Sequence, residues 1–571
     1  MVDLVTPKDL NIAGDQYFYG QGVEKNIEVA FTYYKRAADL NNPVGLFNVG
    51  KYFLQKLDYK QAYNYYRQSS DLDYAPADIK ISEMHLNGLG IKKSKKKAFK
   101  YLEKAVKLNE VDAYHQLGKF YLNGIGCSKN EIKAQELFSL SAQNNNSEGM
   151  YLLGSLLLNA KQIKNDYESA FFHLDRAAVN NNVNAIDYLK TLYEKPHPYL
   201  KKHSDLYLKE MWFYYDEILA NLGNVDALKR CAFEYYYGGE TTSINLEKSF
   251  KFFKSLYSFD DTDGYFGLGI SYLNGHGVNV DYTRAKDYLE IASNRGNAKA
   301  KAALGDMHRL GKGVDLNYGL ARDYYLEAAK SDEVDALINL GLLHYRKQIK
   351  SASEALAFQF MNKASSFENA NAYYWLGIFY DKGIGCNKDF DLAKKNFELA
   401  IVKGNVGAKY KLAGLIYEEI NDKKISKRKK SKFYQEIKTL LIDYVNHPLN
   451  QEINMLYAMY LLGELYLERD FSENSLKVSR YWFENAAENN FTKAMVRMYE
   501  ILKEKESKKA LNWLKKACEN PQDGEELFEL SLVYEAGLYG ESKNEIMAKK
   551  LLEKSANLNF VKAIQKLNIG N

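Results

Sequence analysis

Cysteine is scarce: the chain has four in 571 residues. Cys127, Cys231, Cys386 and Cys518 are far apart and form no Cys-x-x-Cys pair. That spacing argues against a disulfide framework or a zinc finger and fits a reducing compartment. Proline is scarcer than its usual share, at seven, so little in the sequence interrupts helices. Long apolar runs are missing. The longest, Met150 to Ala160, is broken by Gly154 and Ser155 and is too short to cross a bilayer. The first residues, Met1 to Gln16, show no basic stretch leading into an apolar one, so no classical signal peptide is expected. A strong charge of one sign is missing too. Lys and Arg number 78 against 73 Asp and Glu, a net of 78 − 73 = +5. That is too dilute for nucleic acid as the main partner. These absences predict a soluble chain, most simply cytoplasmic, with no transmembrane segment.

Catalytic constellations are also missing. The nine histidines include no pair spaced for a metal on one helix face and no His-Glu-x-x-His. His85, His308 and His344 fall at or near a recurring helical tyrosine position and read as core histidines. His197 and His203 share a proline-containing connection without the cysteine or carboxylate cluster a metal site needs. No Gly-x-Ser-x-Gly elbow occurs. Gly311-Lys312-Gly313 lacks both the preceding strand of a dinucleotide site and the Gly-Lys-Ser/Thr of a phosphate loop. No catalytic residue, cofactor or metal is therefore expected, and the chain does not read as an enzyme.

What is present is repetition. Gly-x-Gly recurs at Gly20/Gly22, Gly88/Gly90, Gly124/Gly126, Gly275/Gly277, Gly311/Gly313 and Gly383/Gly385, and spacings of 36 or 72 residues relate several of them. About nine residues later comes an alanine (Ala30, Ala98, Ala134, Ala285, Ala321, Ala393). Four further on stands a bulky residue (Tyr34, Leu102, Phe138, Leu289, Tyr325, Phe397), then a small pair such as Ala328-Ala329. Ahead of the glycines lies Leu-Gly-x-x-Tyr, as in Leu117-Gly118 with Tyr121. Spacings of one, four and seven keep these residues on one helix face. The pattern predicts pairs of antiparallel helices, A then B. A glycine in helix A admits its neighbour closely, Gly-x-Gly ends helix A, and Asn-rich ends such as Asn144-Asn145-Asn146 stop helix B. One hairpin cannot bury its apolar face alone, so the hairpins must stack. The expected fold is all-α, a right-handed superhelical α-solenoid of about fifteen hairpins with a final helix covering the open end.

The segment from Ala300 to Lys330 resembles the Sel-one-like repeat, a relative of the tetratricopeptide repeat, almost throughout. So does Ala372 to Asn405. The resemblance covers nearly the whole chain. It implies an adaptor that holds other proteins together, as family members do in quality control, cell-wall regulation, signalling and host–bacterium interaction. The cysteine-rich subtype, with a disulfide in each repeat, does not fit, because Cys127 and Cys386 have no partner in their units.

In tetratricopeptide-like solenoids helix A lines the concave face. The position two residues before each Leu-Gly turns about 160° away from that leucine at 100° per residue. It is occupied by Phe47, His115, Tyr151, Phe266, Tyr374, Tyr410, Tyr460 and Phe528, which become the candidate partner-binding residues. Large rings with few rotatable bonds suit peptide binding, and they equally suit packing between successive A helices. Lys229, Ala302 and Ile338 fill the same stripe in other units, with Lys119, Asp306 and Glu464 beside it. Partner proteins or peptides along this face are the leading functional expectation. The alternative is a peripheral binder of anionic membrane or another polyanion through Lys92–Lys97 and Lys423–Lys432, with Lys423, Lys424, Lys427, Arg428, Lys429 and Lys430 as contacts. Three arrays are expected, 1–224, 225–451 and 452–571, in one continuous solenoid with flexing points near 195–205 and 421–451.

Overall fold

The repeat pattern becomes helix boundaries almost residue for residue. In a computed structural model, which describes residues 6–422, 426–447, 452–469 and 473–569, every regular element is helical: 31 α-helices and one short 3-10 turn. Fifteen hairpins and a final helix, Val561–Ile569, account for them. The residues fall into two units, Met1–Ala292 and Ser293–Asn571. Within each, helices pack chiefly on their chain neighbours, and A helices also meet across one hairpin, as Val111–Asn123 meets Ser147–Asn159.

Local chemistry sets each end. Asn42, Asn146 and Asn182 accept backbone N–H groups at the starts of their A helices, and Asn26, Asn130 and Asn544 do so for B helices. The first glycine of Gly-x-Gly closes helix A in the left-handed region: Gly124 has φ 66° and donates to the carbonyl of Phe120. The second glycine serves the stack. A Cβ on Gly126 would stand 2.2 Å from the carbonyl oxygen of Lys95, at the start of the preceding repeat's helix B. Helix B ends at left-handed asparagines, among them Asn41, Asn109, Asn145 and Asn181.

The core is the face that the spacing predicts. Ala30, Ala98, Ala134, Ala321 and Ala393 are fully buried, as are the bulky residues four positions on, from Tyr34 to Phe397. Each such side chain contributes roughly 1.5–3 kcal/mol of burial. The helix A glycine is its counterpart: the ring of Phe138 lies on Gly118, that of Tyr325 on Gly305 and that of Phe397 on Gly377.

The two stretches that break the register are more ordered than their composition suggests. In the proline-containing connection, Pro198–Lys202 forms a 3-10 turn. It leads into a helix of 17 residues, Asp205–Asn221. The basic run opens a 19-residue helix, from Lys427 to Val445. A buried contact explains the second case, since Phe433, Ile437, Leu441 and Tyr444 on that helix are all buried.

Candidate functional site: the A-helix face

Seven of the eight candidate positions place a ring against another ring. Phe47 sits 5.4 Å from both Tyr66 and Tyr74. Tyr151 meets Tyr188 edge-on, and Phe266 lies beside Phe233. Tyr374 contacts Trp375 and Phe397, Tyr410 contacts Tyr444, Tyr460 contacts Phe483 and Phe491, and Phe528 contacts Phe560. Phe266, Tyr410 and Phe528 are buried, whereas Phe47, Tyr151, Tyr374 and Tyr460 are half-buried. His115 is half-buried with no hydrogen bond to its Nδ1, and burial, then Lys119, lowers its pKa.

The adjoining charged positions tie repeats together. Lys119 binds Glu148 at 2.7 Å, Lys229 binds Asp261 at 2.9 Å, and Arg497 binds Glu464 at 2.7 Å. Asparagines add a second link. Nδ2 of Asn146 donates to Asp112 at 3.2 Å, that of Asn182 to Glu148 at 3.2 Å, and that of Asn405 to Asn371 at 2.9 Å.

In the unit Ser293–Asn571 this face opens into a cavity of about 600 Å³. Ile338 and Tyr374 from the predicted stripe line it, and so does Asp306 from the stripe beside it. Burial, with Tyr410 close by, pushes the Tyr374 phenol up to about 12. Asp335, Asn371 and Trp375, which the stripe omitted, line the cavity as well. Their signal was present: Asp335 and Asn371 lie three residues before Ile338 and Tyr374, one turn away on the same face.

A second constellation escaped the sequence entirely. Asp216, fully buried, accepts hydrogen bonds from Lys190 and from Nε of Arg230 at 2.8 Å. Both cations sit over the ring of Trp212. Three helices supply these groups, so no local spacing announces them.

Of the histidines at the tyrosine position, His85 and His344 are buried and stack on Tyr101 and Phe360, while the half-buried His308 stacks on Tyr324. His197 lies tilted beside Tyr167, and His203 stacks on Tyr207. Among the described residues, no group of three or more His, Cys, Asp or Glu could hold a metal ion. All four cysteines are free thiols, and burial raises the pKa of each.

Of the basic contacts, Lys423 and Lys424 lie outside the described residues. Lys427 begins its helix, Arg428 and Lys429 are exposed, and Lys430 is half-buried. Lys429 lies over the ring of Phe433. Lys92, Lys93 and Lys95–Lys97 are exposed at the start of the helix Lys95–Lys107. Nothing further in the structure adds to a membrane role, and among the described residues no helix is long and apolar enough to cross a bilayer.

Comparison with known proteins finds both similar solved structures and a matching family. The chain is similar to c5321, a protective antigen of uropathogenic Escherichia coli strains with an SLR fold, at 19% identity. The match covers 82% of this chain and 97% of that one, with a TM-score of 0.48. A Sel1 repeat protein from Oxalobacter formigenes is 27% identical over 33% of this chain and 79% of its own, with a TM-score of 0.30. Yeast Tom70 is 16% identical over 89% of this chain and 96% of its own, with a TM-score of 0.29. No curated protein sequence matches the chain. Thirteen segments match the family described as Sel1 repeat: 10–42, 43–74, 75–110, 111–146, 147–182, 225–257, 262–297, 298–333, 334–366, 370–405, 456–491, 501–521 and 527–560. With its matched segments spanning most of its length, the chain belongs to the Sel1 repeat family.

Proposed function

We propose that the chain is a non-catalytic adaptor that binds segments of partner proteins along the face lined by its A helices. Repeat scaffolds of this family generally serve protein interaction, and the chemistry of the face supports that use here. The observation that carries the reading is the cavity between Asp306 and Tyr444, lined by the half-buried Tyr374 and Trp375 over the buried Ile338. Half-buried rings bury large area on binding while losing little rotamer freedom.

Affinity purification of the full chain from its native cell, compared with Tyr374→Ala/Tyr410→Ala, tests this. Loss of partners from the double variant is the expected result, with helix content retained and the melting temperature lowered, because Tyr410 is a buried ring. Unchanged partners at unchanged affinity would remove the groove from the account.

A further inference from the structure

Asp335 holds a charge that the fold leaves unused. In three repeats the second residue of the A helix is satisfied by an asparagine at the start of the next repeat. Asp112 receives Asn146, Glu148 receives Asn182, and Asn371 receives Asn405. Asp335 occupies this position 36 residues before Asn371, and its corresponding donor is Asn369. The carboxamide oxygen of Asn369 caps the N–H groups of Asn371 and Ala372. No hydrogen bond or ion pair joins Asn369 to Asp335, and among the described residues the Asp335 carboxylate has no hydrogen-bond or ion-pair partner; only its backbone N–H is engaged, by Glu333.

Its neighbour is already occupied. Asp306 takes the Arg309 guanidinium at 2.6 Å, the Tyr325 hydroxyl at 2.7 Å and the Asn339 carboxamide at 3.3 Å. Arg309 is thereby committed. No lysine or arginine lines the cavity among the described residues. Asp335 is itself exposed; partial desolvation by the protein around its carboxylate, then repulsion from the Asp306 charge, raise its pKa against the opposing pull of Lys299. A cation entering the cavity relieves both effects. Tyr374 and Trp375 line the same space, and aromatic rings attract cations.

We propose that this cavity receives the lysine or arginine side chain of an extended segment of a partner protein, with Asp335 as counter-ion and Tyr374 and Trp375 as its walls. The proposal rests on the adaptor reading and names the chemistry of its partner. Acidic and phosphorylated segments are disfavoured, since they would bring negative charge to Asp306 and Asp335 with no lining cation to meet it. Asn371 and Asn405 line the same cavity and supply carboxamides for the main chain of the segment.

The test is a positional-scanning array of nine-residue peptides, each set fixed at one position, probed with the full-length protein. The best peptide is then labelled and titrated by fluorescence anisotropy. Sets fixed as lysine or arginine at one position are expected to dominate. Asp335→Asn should weaken the best peptide about tenfold or more, a loss of about 1.4 kcal/mol or more. Trp375→Leu should weaken it too, and both variants should keep the parent's circular dichroism and melting temperature. Selection of acidic or apolar peptides, or a basic preference that survives Asp335→Asn, overturns the proposal. Peptides that bind without basic preference and are lost in Tyr374→Ala would overturn the cation and leave the adaptor reading standing. Native partners captured through the Tyr374/Tyr410 face, with no array peptide bound, would do the same.

Discussion

The closest structural prediction concerns a single missing methyl group. Gly118 faces Phe138 across its hairpin, and an ideal Cβ there would stand 2.5 Å from Cε1 and 2.7 Å from Cδ1 of the ring. Carbon atoms in contact prefer about 3.5–4.0 Å, so the ring would have to retreat by about 1 Å. Phe138 is fully buried and shares its cluster with Ala134, Ala142, Met150 and Leu153, which leaves it nowhere to go. Overpacking of this kind costs about 1–3 kcal/mol. Against it stands the helix propensity of alanine over glycine, worth about 1 kcal/mol. Gly118→Ala should therefore destabilise by about 1 kcal/mol net. The two contributions separate in a Phe138→Ala background, where the obstacle is gone and only propensity remains. There Gly118→Ala should stabilise, by up to about 1 kcal/mol. Urea denaturation gives the totals, and hydrogen exchange of the helices Val111–Asn123 and Glu131–Gln143 localises them, as an array with nearest-neighbour coupling requires. Equal stabilisation in both backgrounds would refute close approach as the reason for the glycine.

Two further outcomes follow from buried charge. Asp216→Asn removes the carboxylate that holds Lys190 and Arg230. Because Lys190 is only 13% exposed in its side chain, the loss should be about 3 kcal/mol, near the lower end for a broken buried pair, read by urea denaturation; a loss under about 0.5 kcal/mol would mean the pair contributes nothing. Burial also lowers the pKa of His85. The unfolded chain takes up that proton as pH falls below 6.5 while the folded chain resists it, so stability is lost on acidification from 6.5 downward. His85→Phe should flatten the decline in melting temperature between pH 7 and pH 5 relative to the parent, and an unchanged slope would count against a neutral buried imidazole.

The interior was legible because its constraints are local. An alanine, a ring four residues on and a small pair three further fall on one helix face by angle alone, so Ala134, Phe138 and Ala142 could be placed before any contact was known. The same holds for Gly124, whose turn requires a left-handed residue. The Lys190–Asp216–Arg230 cluster could not be read, because residues 14 to 26 apart on three helices meet only through packing. The run from Lys427 was legible only in part: its lysines fit a solvated loop or a helix start, and the apolar Phe433, Ile437 and Leu441, spaced four apart, set a helix that carries those lysines on its first turns. On the A-helix face the register named Tyr374 and Ile338, with Asp306 on the stripe beside them, but left out Asp335 and Asn371, one turn earlier.

That omission shows how one fold carries different addresses. The inward positions repeat because geometry permits little else, with a glycine under each ring and a small residue at each crossing. The second residue of helix A is under no such restraint. It is Asp112, Glu148 and Asp263 in one unit, and Lys299, Asp335 and Asn371 in the other. Any of these can stand at a helix start without disturbing the stack, since the position faces away from the buried seam. Asn371 is neutral and tied to Asn405, whereas Asp335, 36 residues earlier, is charged and unpaired. The repeats thus agree where they must seal one another and differ where a partner would touch them. Exchanging Asp335 for lysine should accordingly invert the charge preference of the groove while leaving the melting temperature within about 0.5 kcal/mol equivalent of the parent. A variant that lost its fold instead would show this position to be part of the seam.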